Sequence, residues 1–486
     1  MQYPTINTSK MSEESRKLGL IGLTAIVFSS MIGGGIYAIP QNMAAGAGLG
    51  ATIISWMISG FGVLFLVLTF KTLSDLRPEL NSGIYQYAKE SFGNYIGFNV
   101  AWGYWLCAAM GNVAFAVMLN DSLGFFFPVL LNYGWQTWLL SSVLIWCMFG
   151  IVASGIKEAS IINAVVSILK FTSLTFIIVI LLLFFKTDNL TWDFWGKDLG
   201  LGSVTQQVRS TMLVTLWCFI GVEGAVVVSG RARHRKDIGR AGVIGFILAL
   251  FLYLMLSILS YGILRQPELA LLPNPSVPYV LEAAVGHWGA IFVLISIIFS
   301  ILGGWIAWTI LCAEVPYTSA KANILPRVFG KENKHESPIN SLFASSLLMQ
   351  FFIFIVVLSE HVYLAAIEIA GVMILPSYLF SGLFLIKESY TPAELQKGLY
   401  SKAYLRIIGF ITTAYCIWLI YAGGLELFYF TSIAYLIGIG FYIKGRMDHR
   451  NEGEVVFTHR EKIYAAVIFF SALSCIGLLI SGYNPL

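Results

Sequence analysis

Apolar residues in this chain fall into long unbroken blocks with short polar connections, from Leu18 to Tyr483. A helix needs about 20 apolar residues to cross the hydrocarbon of a bilayer. Thirteen blocks are candidate spans, at roughly 19–45, 50–72, 95–119, 136–155, 160–185, 207–230, 241–264, 281–312, 340–359, 362–386, 405–424, 427–443 and 463–482. The pattern therefore predicts an all-α integral membrane protein with about 13 transmembrane helices. The connection after the second block is amphipathic and is expected to lie at the membrane face.

Two blocks are interrupted by glycine in mid-span. Gly33-Gly34-Gly35 breaks the first, and Gly221-Val222-Glu223-Gly224 breaks the sixth. Unpaired backbone at membrane depth is tolerated only where it is buried in protein or lines a cavity. Such breaks at matching places in two halves of a chain point to a substrate site between discontinuous helices. With breaks in spans one and six the repeat is five helices long, and five is odd, so the second copy is inverted. The expected organisation is a tail at 1–18, a five-helix repeat at 19–185, an inverted repeat at 207–386 and additional helices at 405–486. On the alternative reading, the glycines serve only close helix packing.

Composition agrees with this reading. The 486 residues are 57% hydrophobic and 12% charged, against about 25% charged in soluble proteins. The segments on one side of the expected bundle carry 25 of the 30 lysines and arginines. The positive-inside rule then puts the N-terminus in the cytoplasm and, with an odd count, the C-terminus outside. The expected location is a bacterial inner (cytoplasmic) membrane. No cleavable leader is evident. The six cysteines fall inside spans without metal-site or disulfide spacing, and no nucleophile–base, metal-ligand or phosphate-cradling pattern stands out. Neither an enzyme, nor a cofactor, nor a nucleic-acid partner is expected.

The breaks carry the candidate chemistry. The outer half of span one starts near Gly34 and presents backbone N–H groups suited to a carboxylate. Carbonyls around Cys218 to Gly221 are expected to be free to accept from an ammonium. Together they describe a receptor for an α-amino acid. Tyr104, Phe115, Trp217 and Trp305 lie at a similar level, where aromatic faces stabilise a desolvated cation by about 2 kcal/mol. By the opposing reading they are packing residues. Charged groups inside spans are costly and default to functional candidates. Glu223 is placed to carry a proton or organise a gate, or else to cap the broken helix. Lys170 sits about 15 Å into span five, where it stands in for a coupling cation or ties span five to span one. Asn112 contacts substrate or hydrogen-bonds another helix, and Glu368 and Glu314 are weaker candidates.

The stretches SSMIGGGIYAIPQNMA, GNVAF at 111–115, WCFIGVEG at 217–224 and GGWIAW at 303–308 resemble the amino acid–polyamine–organocation transporters. The resemblance is closest to the basic amino acid/polyamine antiporter family and its arginine–ornithine branch. It implies the 5+5 inverted-repeat fold and exchange of a cationic amino acid for its catabolic product, ornithine first. It also implies that Ser30, Ile32, Gly33, Gly34 and Gly35 bind the substrate's carboxylate and α-amino group, and that Trp217 and Ile220 lie under its chain. Trp305 would stack on the side chain, Tyr104, Asn112 and Phe115 would contact or gate it, and Glu223 would sense protons. Ser30, Met110 and Phe115 depart from the arginine–agmatine pattern. Arginine/agmatine exchange, a proton-coupled symporter and a non-transporting sensor are the alternatives. The expected partners are cationic amino acids and amines, the lipid bilayer and, by possible self-association, a second copy.

Overall fold

The computed structural model describes residues 17–483 apart from 133, 192, 359–367, 392–398 and 451–453. Nearly all of the tail expected at 1–18, and the start of the tenth span, lie outside the described residues.

The glycine breaks decide the first span. Helix α1 (Leu20–Met31) is apolar all round and stops at Ile32, whose φ of −91° and ψ of 86° are not helical. A 3₁₀ turn over Gly34–Ala38 follows, then α2 (Ile39–Gly46), which carries Pro40 in its first turn, where no N–H is needed. The two halves meet at 41°.

Eleven further helices are long and apolar enough to span a membrane. They are α3 (Leu49–Leu76), α5 (Asn94–Gly124), α6 (Trp135–Ala153), α7 (Ile156–Leu183), α9 (Arg235–Ile263), α11 (His287–Lys321), α12 (Ile339–Leu358), α13 (Glu368–Glu388), α14 (Lys402–Ala422), α15 (Leu425–His449) and α16 (His459–Ile480). Between them lie the shorter α4 (Ile84–Phe92), α8 (Val204–Phe219) and α10 (Val277–Val285). With the bent pair, twelve spans are found among the described residues, against the thirteen that hydropathy predicts. The difference is the sixth block. Helix α8, opened by a capping box of Ser203 and Gln206, ends at Phe219 after only 16 residues. Its continuation is a single turn, Gly224–Val227. The block is apolar enough, but its break divides it.

An internal echo supports the 5+5 architecture. Helix α4 has nine residues and is joined to the long α5 through Gly93, with φ +99°. Helix α10 also has nine residues and is joined to the long α11 through Gly286, with φ +85°. Both junctions need a positive φ that glycine adopts without Cβ strain. The same device thus precedes the third span of each half.

Both broken spans sit at the centre of the bundle. Helix α1 packs against α7, α9 and α11, and α8 against α3; α9 packs on α3, and α11 on α5 and α7. The added C-terminal helices are not detached. Helix α14 packs on α13 and α3, while α15 packs on α5 and α16. Glu461 of α16 accepts a hydrogen bond from the backbone N–H of Tyr95, in the first turn of α5, at 2.9 Å. At Gly62 of α3 a Cβ would overlap the Tyr415 ring of α14. Gly62→Val is therefore expected to destabilise the protein by about 1–3 kcal/mol through overpacking. Thermal unfolding in detergent checks this, and an unchanged midpoint would contradict the α3–α14 contact.

Candidate functional site

Three consecutive carbonyls at the end of α1 lose their helical partners, and three other helices replace them. The Trp308 indole N–H of α11 donates to the Ser30 carbonyl at 2.8 Å. The Tyr253 hydroxyl of α9 lies 2.7 Å from the Met31 carbonyl and 2.6 Å from that of Cys218. Lys170 Nζ of α7 donates to the Ile32 carbonyl at 2.6 Å. A hydroxyl has one proton, so Tyr253 serves one break at a time. It nonetheless brings the two breaks together.

The second break is folded onto the first. Gly221 has φ +108° and lies so close to Ser30 that a Cβ would sit 2.7 Å from its side chain and carbonyl carbon. Only glycine meets both demands. The Ser30 hydroxyl lies 2.8 Å from the Gly221 carbonyl and 2.9 Å from that of Val27, and its one proton serves one of them at a time. This corrects one expectation. The carbonyls from Cys218 to Gly221 are mostly occupied: Cys218 by Tyr253, Phe219 by the N–H of Val222, and Gly221 by Ser30 and the N–H of Gly224. Burial demands that, since an unpaired carbonyl costs about 1–3 kcal/mol. Among the described residues, the Ile220 carbonyl takes no hydrogen bond.

Between the breaks lies a cavity of about 470 Å³. Ser30, Met31, Gly33 and Gly35 line it from the first break, and Trp217, Cys218 and Ile220 from the second. Gly111 and Phe115 of α5, Trp308 of α11 and Glu368 and Gly371 of α13 complete the part relevant here. The Phe115 ring is wedged over Gly33 and Gly304, leaving no room for a Cβ at Gly33. Trp217, 37% exposed, lies against Gly371 with equally little room.

Several expected residues stand behind this wall. Gly34 is packed against Met118 and Ile301, while Ile32 is fully buried and presents its carbonyl to Lys170. Lys170 is buried, with its ammonium 5.6 Å from the centre of the Phe28 ring. Asn112 bonds within the bundle, to the Ala108 carbonyl and the Thr309 hydroxyl. Tyr104 donates to Glu223 Oε1 at 2.9 Å, Tyr378 donates to Oε2 at 2.6 Å, and the Gly221 N–H also reaches Oε2 at 3.1 Å. Glu223 is thus a fully buried acceptor held by two tyrosines. Trp305 is fully buried and outside the cavity lining, and its indole N–H has no hydrogen-bond partner among the described residues. Trp308, one turn along the same helix, lines the cavity instead and stacks at 6.2 Å on Tyr104.

Sequence reasoning missed Trp308, Tyr253 and Tyr378. Trp305 and Trp308 stand three apart in GGWIAW, about 60° apart around the helix, and nothing local says which faces inward. A tyrosine within an apolar span is a weak signal, since packing accounts for most of them.

The cavity reaches Asn42 and Val214, toward the membrane face opposite the N-terminus. The N-terminal face is closed. Leu18 exchanges backbone hydrogen bonds of 2.8 Å with Arg231 and Arg233. The Arg231 guanidinium pairs with Glu314 at 3.2 Å and Glu332 at 2.9 Å and donates to the Glu336 carbonyl at 2.9 Å.

A helical membrane bundle with two broken central spans, a midplane cavity between them and one face shut is a secondary transporter. The chain belongs to the amino acid permease family, which its residues 18–441 match, and within it to the basic amino acid antiporters of the amino acid–polyamine–organocation superfamily. It is 42% identical to an arginine/agmatine antiporter of Chlamydia pneumoniae, over 97% of this chain and 98% of the relative. Those of Chlamydia abortus and Chlamydia caviae are each 43% identical, over 97% and 96% of this chain and 98% and 97% of theirs. The protein is a multi-pass membrane transporter and not an enzyme.

Glu314 is 1% exposed, and removing the partner of a buried charge is costly. Arg231→Ala should therefore loosen the N-terminal face. Cys107 and Cys218 line the cavity, and Cys147 is exposed; in a Cys147→Ser background the two cavity thiols should then react with a membrane-impermeant thiol reagent supplied from that face. Unchanged protection would show that this network does not hold the face shut.

Proposed function

We propose that this protein exchanges arginine, or a similar cationic amino acid, for a product of its breakdown by alternating access. The observation that carries the reading is the cavity between two broken spans, open to one face and sealed on the other, in a chain 42–43% identical to arginine/agmatine antiporters along nearly its whole length. Agmatine is the first counter-substrate, because the relatives' names give it. Ornithine is the second, on the resemblance of the stretches around Trp217 and Asn112.

In this reading the substrate carboxylate binds at the amide of Gly35, which a helix starting at Gly34 leaves outside its own ladder. Gly35 is exposed to the cavity. The α-ammonium is received near the Ile220 carbonyl and Ser30, and the side chain runs between Trp217 and Trp308, beside Phe115. Glu223, held by Tyr104 and Tyr378, couples the state of the sixth span to protonation, and Lys170 holds the first break to span five. Residues 19–185 and 207–386 act as the two repeats, the N-terminus faces the cytoplasm, and self-association is through lipid-facing helices. Each solute drives the other through one site, so no ion gradient is needed.

Proteoliposomes test the function. Labelled arginine outside should enter vesicles loaded with agmatine or ornithine and not empty ones, and the internal solute that gives faster uptake is the counter-substrate. Uptake into empty vesicles under an inward proton gradient would make the protein a symporter.

Two substitutions test the assignments. Trp308→Ala should weaken arginine binding at least tenfold, about 1.4 kcal/mol, and more than Trp305→Ala does. The reverse order would return the stacking role to Trp305. Glu223→Gln should flatten the pH dependence of exchange, since an amide does not titrate and confronts one tyrosine donor with its own N–H. A retained profile would move the proton sensor elsewhere.

A further inference from the structure

One acidic side chain reaches the cavity without being part of the machinery described above. Among its described lining residues Glu368 is the only acidic or basic one. Glu223 and Lys170, the other charges at this depth, stand behind the wall with their polar atoms engaged. Glu368 is exposed and three residues before Gly371 in the same helix. Residues three apart share a helix face and are separated by about 4.5 Å along the axis. Gly371 is where the Trp217 indole rests. The carboxylate therefore stands one turn from an aromatic face that is itself 37% exposed, on the side toward the open mouth.

We propose that Glu368 is the counter-ion for the cationic end of the transported solute, and that it sets the preference for cationic over neutral amino acids. This rests on the exchange function proposed above. The chemistry is direct. A guanidinium or ammonium over an indole gains from the ring's quadrupole, and a carboxylate beside it adds a charge-assisted hydrogen bond. A neutral side chain of the same shape gains neither. The arrangement also explains how one site serves an exchanger. Arginine and agmatine share the guanidinium and differ at the other end, so a carboxylate placed at the side-chain end holds both solutes.

The test is equilibrium binding to the purified full-length protein in lipid nanodiscs. The probes are arginine and citrulline, which replaces the guanidinium with a neutral urea of similar shape. The wild type should prefer arginine. Glu368→Gln should weaken arginine roughly ten- to a hundredfold, as expected for losing a charged partner, and leave citrulline unchanged. Glu368→Asp keeps the charge and should keep the preference.

Undiminished arginine binding in Glu368→Gln would overturn the proposal while leaving the exchange function intact. Equal losses for both probes would also overturn it, because shape and not charge would then be at stake. So would loss of the preference in Glu368→Asp. A wild type that fails to bind arginine would remove the cationic-substrate reading itself, and this inference with it.

Discussion

A broken helix inside a bilayer must find partners for backbone groups that neither its own ladder nor water can satisfy. At the first break this condition is met from three directions, by Trp308, Tyr253 and Lys170 on three successive carbonyls. Those side chains belong to α11, α9 and α7, the helices against which α1 packs. The break is therefore not a local defect. It is the point at which the core of the bundle is joined, and the position of every nearby group follows from it.

The same constraint couples the two halves. Ser30 and Gly221 approach so closely that neither broken span shifts near the midplane without the other responding. Tyr253 stands between carbonyls of both breaks with one proton to share. Ser30 and Tyr253 also line the cavity, so under the proposed exchange an occupant would compete for them, a physical route from binding to a change in the relation between the spans. At the N-terminal face the Arg231 cluster and the short backbone pairing with Leu18 stand against that change. A transporter needs such opposition, because each gate must hold until the site is filled.

The cavity wall combines backbone from both breaks with the rings of Phe115, Trp217 and Trp308 and one carboxylate, Glu368. Charges needed to hold the protein together are kept behind the wall: Lys170 is spent on a carbonyl and Glu223 on two tyrosines. Trp217 and Glu368 can then vary with less risk to the frame than Trp308, which lines the cavity and also holds the Ser30 carbonyl.

Much of this was readable along the chain. Apolar block length determined the membrane class and most span boundaries, because the bilayer imposes one length on every helix. Paired glycines at Gly33–Gly35 and Gly221–Gly224 determined where the helices break, since glycine adopts the positive φ of Gly221 without Cβ strain. Those properties are local. Only the tertiary structure decided which partners satisfy the broken backbone, because Tyr253, Trp308 and Lys170 come from helices far apart in sequence. It also decided that Trp308 and not Trp305 faces the cavity, a matter of about 60° of rotation set by packing across α5 and α1. The carbonyls of Cys218 and Gly221, free by sequence reasoning, are occupied for the same reason. A buried acceptor draws in whatever donor the fold brings near, and the sequence does not say which helix will be there.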